Sequence, residues 1–324
     1  MNRRTFAFSI ALSSIALLFG CKKSNGGSGN AKIKVQLNWV SEPEFGGLYA
    51  ARDLGAYQRA GLDVQIDQGG PSSPVIQLVA TGQADFGVAA AEDVVVARAR
   101  KIDVVAIYAT FQTSPQAIMV HASRGLSSLA DLTSGTLALE TGAPFGAFLM
   151  KKYGFSGVHI VPSDGGVAKF VTDPSYAQQC FVTSEPIAAK DKGSDPQVFL
   201  ARDAGFDPYA NVIITRGAML REQLPTVQKF VAATVEGWRS YLADPAAANA
   251  TMGKLNPAMA PSTFAAVADA QRSLIENDET KARGLGTMTA ARWKSLASQL
   301  ADVGTIPQTL DADACFAITA LPAK

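Results

Sequence analysis

From Lys32 onward, short runs of β-branched and other apolar residues alternate with segments whose apolar positions recur at helical spacing. Alternation of this length is typical of parallel βαβ units with right-handed crossovers. The first part of the chain predicts strands at 33–37, 62–66, 85–89 and 104–109, separated by helices at 46–59, 74–81 and 92–100.

A second, similar set of elements begins near Gln116. Its predicted strands are 117–120, 136–140, 158–161, 179–182 and 197–200, with helices at 126–132 and 145–153. A strand at 211–215 then returns to the first set, and the remainder predicts helices at 225–242, 261–277 and 289–303.

These patterns together predict an α/β fold of two lobes, with the second lobe inserted in the first. We expect the first lobe to comprise 32–113 plus 211–324 and the second lobe to comprise 114–210. Two chain crossings, near 111–116 and 207–212, would then act as a hinge. The cleft between the lobes is the expected ligand site.

The first 20 residues predict a signal peptide, because Arg3 and Arg4 precede an apolar stretch from residue 6 to residue 18. That stretch is shorter than the about 20 residues of a membrane-spanning helix. The run Leu18-Phe19-Gly20-Cys21 resembles a bacterial lipobox, which implies a lipidated Cys21 as the mature N-terminus. The alternative is a plain secretory signal with an incidental cysteine.

Residues 21–31 are rich in Gly, Ser and Asn and predict a flexible tether. No later segment is apolar for long enough to span a bilayer. We therefore expect a body outside the membrane, held by its lipid in the periplasm or at the outer face of the cytoplasmic membrane.

The charge balance argues against a nucleic-acid partner. The full chain of 324 residues has 29 basic and 28 acidic side chains, and residues 1–20 contain two of the basic and none of the acidic ones. The remaining length exceeds the usual size of one core, which agrees with two lobes. Cys180 and Cys315 are expected to be buried free thiols, with a disulfide as the alternative.

Aromatic and acidic residues cluster where the first predicted strand ends, at Trp39, Glu42, Glu44 and Phe45. Side chains at such a strand end face a crevice. Trp39 is expected to stack on a ligand, with a core lid as the alternative, whereas Phe45 fits stacking or core packing equally. The acids offer hydrogen-bond acceptors, although acids in a first helical turn also stabilise the helix by themselves.

Other acidic residues also lie near the ends of predicted strands or near the chain crossings. Glu92, Glu140 and Glu185 lie near predicted strand ends or crossings, and no Arg or Lys does so clearly. A cleft lined by acceptors suits a ligand that carries amino groups or positive charge. It suits sulfonate or nitrate poorly, because such anions need basic partners or several N–H donors.

Two neutral segments are further candidates for the cleft. Thr141 and Gly142 open a loop that leads into a helix at Phe145, where small residues let backbone N–H groups approach a ligand. An ordinary βα turn is an equal alternative, since the loop lacks the glycine spacing and lysine of phosphate loops. Gln112 and Thr113 at the first crossing are hydrogen-bonding candidates or, equally, part of a polar hinge.

Catalysis has little support in the sequence. His121 and His159 lie in apolar strand patterns without a cysteine or acid at metal-ligand spacing, and no Gly-x-Ser-x-Gly follows a strand. We therefore expect no catalytic residues, no metal and no cofactor.

Several short motifs recur together in the first lobe: Leu37-Asn38-Trp39, Tyr49-Ala50-Ala51, Gly55-Ala56-Tyr57, Gly61-Leu62-Asp63-Val64, Leu78-Val79-Ala80-Thr81-Gly82-Gln83-Ala84-Asp85-Phe86-Gly87-Val88 and Val96-Ala97-Arg98-Ala99-Arg100. As a set they resemble the thiamine-precursor-type periplasmic binding proteins of bacterial ABC importers. The resemblance covers most of 32–245 and continues weakly at Ser184-Glu185-Pro186 and Asp207-Pro208-Tyr209.

The resemblance implies a type II periplasmic binding protein, monomeric, that closes its cleft on a small molecule and delivers it to an ABC permease. Combined with the strand-end analysis, it predicts a ligand-binding set of Asn38, Trp39, Glu44, Phe45, Ala90, Glu92, Gln112, Thr113, Thr141, Gly142, Phe145, Glu185 and Tyr209.

The implied ligand is a thiamine-related pyrimidine, followed by riboflavin or another heterocycle, with sulfonate, taurine or nitrate less favoured. Pyrimidine binders of this type usually carry Asp at the position of Asn38 and often His at that of Phe45. Related fungal pyrimidine synthases need that His and a cysteine cluster, and both are missing here, which disfavours an enzyme. A ligand sensor remains a further alternative.

Overall fold

The computed structural model describes residues 29–71 and 73–322. The predicted signal peptide, Cys21 and most of the tether lie outside these residues. Among the described residues, no helix combines the length and the apolar character needed to cross a membrane.

The described strands belong to two separate sheets. Their bounds are β1 (Ala31–Gln36), β2 (Leu62–Asp67), β3 (Phe86–Ala89), β4 (Val104–Phe111), β5 (Gln116–His121), β6 (Thr136–Leu139), β7 (His159–Pro162), β8 (Tyr176–Phe181), β9 (Pro196–Leu200) and β10 (Ala210–Arg216).

The first sheet has the order β2-β1-β3-β10-β4 and the second has the order β7-β6-β8-β5-β9. In the first, β1 pairs in parallel with β2 and β3, whereas β10 runs antiparallel to β3 and β4. In the second, β6 pairs in parallel with β7 and β8, and β5 runs antiparallel to β8 and β9. The predicted two-lobed α/β fold, with one lobe inserted in the other, is confirmed.

Helices cover both sheets and form most of the C-terminal third. Their bounds are α1 (Gly46–Asp53), α2 (Ala56–Arg59), α3 (Val75–Ala80), α4 (Ala91–Ala99), α5 (Pro144–Tyr153), α6 (Ala168–Thr172), α7 (Glu185–Asp191), α8 (Gly217–Glu222), α9 (Leu224–Ala243), α10 (Ala246–Leu255), α11 (Pro261–Ala270), α12 (Arg272–Ile275), α13 (Asp278–Arg283) and α14 (Ala290–Asp302).

Three predicted helices differ from the structure. The helix expected at 46–59 is divided into α1 and α2, because Gly55 adopts a left-handed conformation with φ of 71°. The helix expected at 126–132 is a single 3-10 turn, Leu129–Asp131, capped reciprocally by Ser128 and Asp131. The helix expected at 261–277 is divided into α11 and α12.

The core of the first lobe depends on a close crossing of α1 and α9. A β-carbon built on Gly237 would lie 2.1 Å from the carbonyl oxygen of Gly47, and one built on Gly47 would lie 2.3 Å from the Trp238 ring. Real β-carbons do not approach other atoms so closely, so both positions require glycine. Beside this crossing the rings of Phe86 and Phe230 stack with centroids 3.9 Å apart.

Arg292 on α14 ties the two chain crossings together. Its guanidinium donates to the carbonyl oxygens of Gln112, on the first crossing, and of Asp207, on the second, the latter at 2.7 Å. The two crossings also contact each other directly, because the Ser114 N–H donates to Asp207 Oδ1 at 2.8 Å. The guanidinium stacks 4.0 Å from the centroid of the Tyr209 ring, so both crossings are held against α14.

The cysteines of the described residues are unpaired, as expected. Cys180 and Cys315 are both buried, and they lie in different core clusters.

Substitution of Gly237 by Ala tests the helix crossing. The added methyl group has to displace backbone of α1, so we expect Gly237→Ala to lower the free energy of unfolding by about 3 kcal/mol or more, measured by urea denaturation.

Gly253→Ala in α10 is the matched control. A β-carbon there would meet its nearest neighbour at 3.8 Å, an ordinary contact, so the substitution should raise the free energy of unfolding by about 0.5–1 kcal/mol. Equal effects of the two substitutions would contradict the close crossing.

Candidate functional site

The two sheets turn the same kind of edge toward each other. Asn38 and Ala90 follow parallel strands β1 and β3, and Asn211 lies at the start of antiparallel β10 beside them. Across from them, Glu140 and Glu185 follow strands β6 and β8 of the second lobe. The carboxyl ends of parallel strands are where open α/β sheets bind ligands. The candidate site is therefore the interface between these edges.

The lobes are in contact around this interface. A β-carbon built on Gly165 of the second lobe would lie 3.5 Å from Cη2 of Trp39 in the first. Gln116 Nε2 donates to Glu92 Oε1 at 3.1 Å, and Thr263 Oγ1 donates to Asp191 Oδ2 at 3.0 Å. The structure thus shows a closed arrangement of the cleft.

The segment from residue 38 to residue 45 is held in place by amide side chains. Gln68 Oε1 accepts from the Ser41 N–H at 3.0 Å, and Asn256 Nδ2 donates to the Ser41 carbonyl oxygen at 3.3 Å. Gln271 Nε2 donates to the Pro43 carbonyl oxygen at 2.8 Å. These bonds satisfy the backbone of a segment that is neither helix nor strand for most of its length, and they fix the direction of its side chains.

Two amide atoms in the cleft wall lack partners. Asn38 Oδ1 and Asn211 Nδ2 are buried, and neither makes a hydrogen bond with the described residues. Asn211 is 3% exposed and has a φ of 48°, which is rare for a residue other than glycine. An unpaired buried amide group destabilises a protein unless something else satisfies it. The wall therefore offers an acceptor at Asn38 without a partner, and at Asn211 a donor near Glu44 without a well-formed hydrogen bond.

Three carboxyl groups converge beside these amides, two from the first lobe and one from the second. Burial raises the pKa of Glu44 to about 8; Glu42 and Glu185 raise it further, and the nearby Asn211 side chain opposes them. Burial and Glu185 raise the pKa of Glu42 to about 7, while the Trp39 side chain opposes them. Burial raises the pKa of Glu185 to about 7, although its carboxylate accepts from the Phe181 N–H at 2.7 Å. We call these three residues the first acidic cluster.

A second acidic cluster, Glu92, Asp93 and Glu140, lies at the start of α4 and the end of β6. Glu92 is 3% exposed, and burial with some repulsion from Asp93 and Glu140 raises its pKa to about 7. Asp93 and Glu140 are exposed, and partial desolvation with repulsion from Glu140 raises the pKa of Asp93. None of the ion pairs in the described part of the chain includes a carboxylate of either cluster.

Three aromatic candidates belong to the packing of the lobes. Phe45 is 1% exposed and lies in the core of the first lobe, and Phe145 is buried with Phe206 on the other side. Tyr209 packs against Arg292, and its hydroxyl oxygen accepts from the Thr289 N–H at 3.0 Å. Their rings therefore have other partners than a ligand.

Of the neutral candidates, some are bonded within the first crossing and others lie at the cleft edge. Gln112 is buried in the hinge, where its Nε2 donates to the Thr287 carbonyl oxygen at 3.1 Å, and the Thr113 N–H donates to Leu274. Thr141 and Gly142 are exposed at the cleft edge beside Glu140, and Ala90 precedes α4 there.

Asn211 was not among the predicted site residues, and Glu42 was named in the strand-end cluster but not in the final ligand-binding set, although both lie in the cleft wall. Glu42 follows the same strand end as Trp39, which was the available signal. The sequence contains no comparable signal for Asn211, because its position in the cleft wall depends on β10 lying between β3 and β4.

Two cavities lie at the edges of this interface. One of about 360 Å³ is lined by α5, β6 and β7 of the second lobe, with Glu140 and Thr141 at its rim, and one of about 230 Å³ lies at the hinge beside Arg292. Because the cleft is closed, it is identified by its polar side chains and not by volume. Among residues 29–71 and 73–322, no group of three or more His, Cys, Asp and Glu side chains is arranged to hold a metal ion.

The chain matches a known protein family. Residues 42–248 match the model of the family described as NMT1/THI5 like. The structure of the periplasmic aliphatic sulphonate binding protein from Escherichia coli superposes with a TM-score of 0.67 at 13% identity, covering 89% of this chain and 92% of the other. That likeness confirms the two-lobed fold of periplasmic binding proteins.

Three curated proteins are similar in sequence. A riboflavin-binding protein of Chloroflexus aurantiacus is 25% identical over 66% of this chain, and the match spans 63% of that protein. A formylaminopyrimidine-binding protein of Halalkalibacterium halodurans is 23% identical over 97% of this chain and 98% of its own length. A 4-amino-5-hydroxymethyl-2-methylpyrimidine phosphate synthase of Legionella pneumophila is 28% identical over 32% of each chain.

The raised pKa values predict that the ligand-free protein loses stability as the pH rises. A carboxyl with a pKa of 4.5 when unfolded and about 7 or 8 when folded holds more protons in the folded state between these values. Folding is therefore favoured below about pH 4.5 and penalised progressively up to about pH 8. We expect the free energy of unfolding to fall by about 1–3 kcal/mol from pH 5 to pH 8, after allowance for partial exposure.

Glu44→Gln should reduce this slope and stabilise the protein at pH 8, as measured by urea denaturation at several pH values. Glu222→Gln is the control, because Glu222 is exposed at the end of α8. A slope that Glu44→Gln leaves unchanged would contradict the raised pKa of Glu44.

Proposed function

The chain belongs to the NMT1/THI5-like family, and from that premise we propose that it is the substrate-binding protein of an ABC importer for a small, flat nitrogen heterocycle. A thiamine-related pyrimidine is the leading ligand. The name of the relative that aligns over nearly its whole length refers to a formylaminopyrimidine, which supports this ligand class. The two-lobed fold supports capture by cleft closure.

The observation that carries the proposal is the pair of buried amide atoms in the cleft wall, one next to Trp39 in the chain and one near Glu44, that make no hydrogen bond of normal geometry. Asn38 Oδ1 can accept a hydrogen bond and Asn211 Nδ2 can donate one. An aminopyrimidine has N–H donors and ring-nitrogen acceptors along one edge, and a flat face for stacking on an indole. Such a ligand would satisfy both amides, and Trp39 at the lobe contact would cover its face.

Riboflavin is the second candidate, because another relative is named for it. Its ring system is also flat and also alternates donors and acceptors along one edge. Sulfonate or nitrate is less favoured, because the cleft wall carries carboxyl groups where an anion would need basic side chains.

We propose binding without turnover. Phe45 takes the place of the His that related synthases use, and its ring is buried in the core. Burial raises the pKa of Cys180 well above its ordinary value, and a thiol in that state is a poor nucleophile. The synthase relative aligns with only 32% of this chain.

The proposal includes a lipid anchor at Cys21, a monomeric body and an ABC permease as partner. The order of basic, apolar and cysteine positions in residues 1–21 supports the anchor. A tether of small polar residues would let the body reach a permease while the lipid stays in the membrane.

Thermal-shift measurement of the mature protein tests the ligand class. We expect 4-amino-5-hydroxymethyl-2-methylpyrimidine to raise the melting temperature, because a ligand that binds only the folded state stabilises it. Trp39→Ala should weaken binding about tenfold or more, since loss of one stacked ring removes about 1–3 kcal/mol.

Leu54→Ala is the control for Trp39→Ala, because Leu54 is 47% exposed on the same lobe and distant from the cleft. A panel with riboflavin, taurine and nitrate runs in parallel. A response to riboflavin alone would select the second candidate, and a response only to the anions would overturn the heterocycle proposal.

Substitution of Cys21 tests the anchor separately. Cys21→Ser should move the expressed protein from the membrane fraction to the soluble fraction and abolish incorporation of labelled palmitate. Ser24→Ala, three residues further along, should leave both unchanged. Membrane retention and labelling of the Cys21→Ser variant would refute lipidation at this residue.

A further inference from the structure

We propose that the ligand of this cleft is a cation in its bound form, and that it displaces protons from the carboxyl groups that the two lobes bring together. This inference rests on the proposed function and specifies the substrate class of the same site.

The first acidic cluster joins the two lobes. Glu42 and Glu44 belong to the segment before α1, whereas Glu185 begins α7 of the second lobe. Glu185 raises the pKa of Glu42, and both of these residues raise the pKa of Glu44, so the three carboxyl groups lie close to one another. Like charges that meet in a desolvated interface repel strongly, so closure requires protons or a positive group between them.

No basic side chain supplies that positive group within the described residues. The neighbours that affect the three carboxyls are each other, the neutral Trp39 and Asn211 side chains, and backbone N–H groups at 181 and 185. The remaining titratable neighbour is the Cys180 thiol, whose pKa Glu185 helps to raise. The Glu185 carboxylate is held at the interface by the Phe181 N–H and therefore does not swing out to solvent.

Asn211 shows independently that a ligand group belongs at this cluster. Its side chain is 3% exposed, and its Nδ2 lies beside the Glu44 carboxyl, whose pKa it lowers, without a hydrogen bond of normal geometry between them. Its left-handed backbone conformation directs the side chain into this position at a cost in local strain. A ligand group placed at this point would accept from Asn211 and donate to Glu44, and a heterocycle with both a ring nitrogen and an ammonium group can do so.

Two further features favour a cation. The Trp39 ring at the lobe contact can stabilise a positive charge over its face. The second acidic cluster places Glu92, Asp93 and Glu140 on the same interface, again from both lobes. A cleft lined by one sign of charge attracts the opposite charge and raises its local concentration.

The direction of the pKa shifts determines how the affinity for the ligand should change with pH. In the ligand-free protein the first acidic cluster retains protons near neutral pH, because the pKa values are about 7 to 8. A bound cation favours the ionised carboxylates, so binding releases protons. Affinity should therefore rise from pH 6 to pH 8 and level off above that range.

Isothermal titration calorimetry with a matched pair of probes tests this inference. The probes are 4-amino-5-aminomethyl-2-methylpyrimidine, whose ammonium group stays charged in this range, and the neutral 5-hydroxymethyl analogue. We expect the ammonium probe to bind about tenfold tighter or more at pH 7.5. Titration in phosphate and in Tris, which differ in ionisation enthalpy, should show net release of about one proton or more for the ammonium probe.

Two variants assign the effect to the first acidic cluster. Glu44→Gln should reduce the proton release and remove most of the preference for the ammonium probe, while Glu222→Gln should change neither. If Glu44→Gln fails to fold, Glu185→Gln makes the same test from the other lobe.

The outcomes separate the two proposals. Equal or tighter binding of the hydroxymethyl probe, without proton release, would overturn the cationic ligand and leave a heterocycle-binding protein. Failure of both pyrimidines and of riboflavin to bind would overturn the proposed function itself.

Discussion

The site depends on how the chain between β1 and α1 is held. Three amide side chains, Gln68, Asn256 and Gln271, bond to the backbone of residues 41 and 43 from separate parts of the first lobe. Because these bonds satisfy the polar backbone of a buried segment, the segment keeps one course across the strand ends. That course determines where Trp39, Glu42 and Glu44 lie. The position of the cleft wall therefore depends on hydrogen bonds to the body of the first lobe.

Closure adds a second constraint, which is electrostatic. Carboxyl groups from both lobes meet in the interface, while Arg292 holds the two crossings on α14 at the hinge. The Arg292 charge is thus used to hold the crossings, and the carboxyl groups of the first acidic cluster have no basic partner among the described residues. A ligand that brings hydrogen-bond donors and charge would supply what the closed interface lacks.

Much of the fold could be predicted from the chain, because alternation of strand and helix patterns is a local property. The strands of both sheets lie within a few residues of their expected positions, including the return of β10 to the first sheet. Helix continuity was less predictable: Gly55 divides a helix that the apolar periodicity alone would continue. The short α6, α7, α8 and α13 were not predicted, since short helices have a weak periodicity, and the longer α10 was missed as well.

The candidate site was predictable only in part. Asn38, Trp39, Glu44 and Glu185 could be named from their positions at strand ends and from the family resemblance, and the structure places them at one interface. Phe45, Phe145 and Tyr209 could not be assigned in the same way, because a ring beside a strand end can face either the cleft or the core. That choice depends on which helices pack against it.

The sequence by itself determined the two-lobed α/β order, the excess of acids at strand ends and the scarcity of basic residues there. Only the tertiary structure decided which acids meet, because Glu42 and Glu185 are distant in the chain and are neighbours across the lobe interface. It also decided that Asn211 has a free amide, since that depends on β10 lying between β3 and β4. Local patterns record propensity and burial, whereas charge repulsion and unsatisfied hydrogen bonds arise from contacts between distant segments.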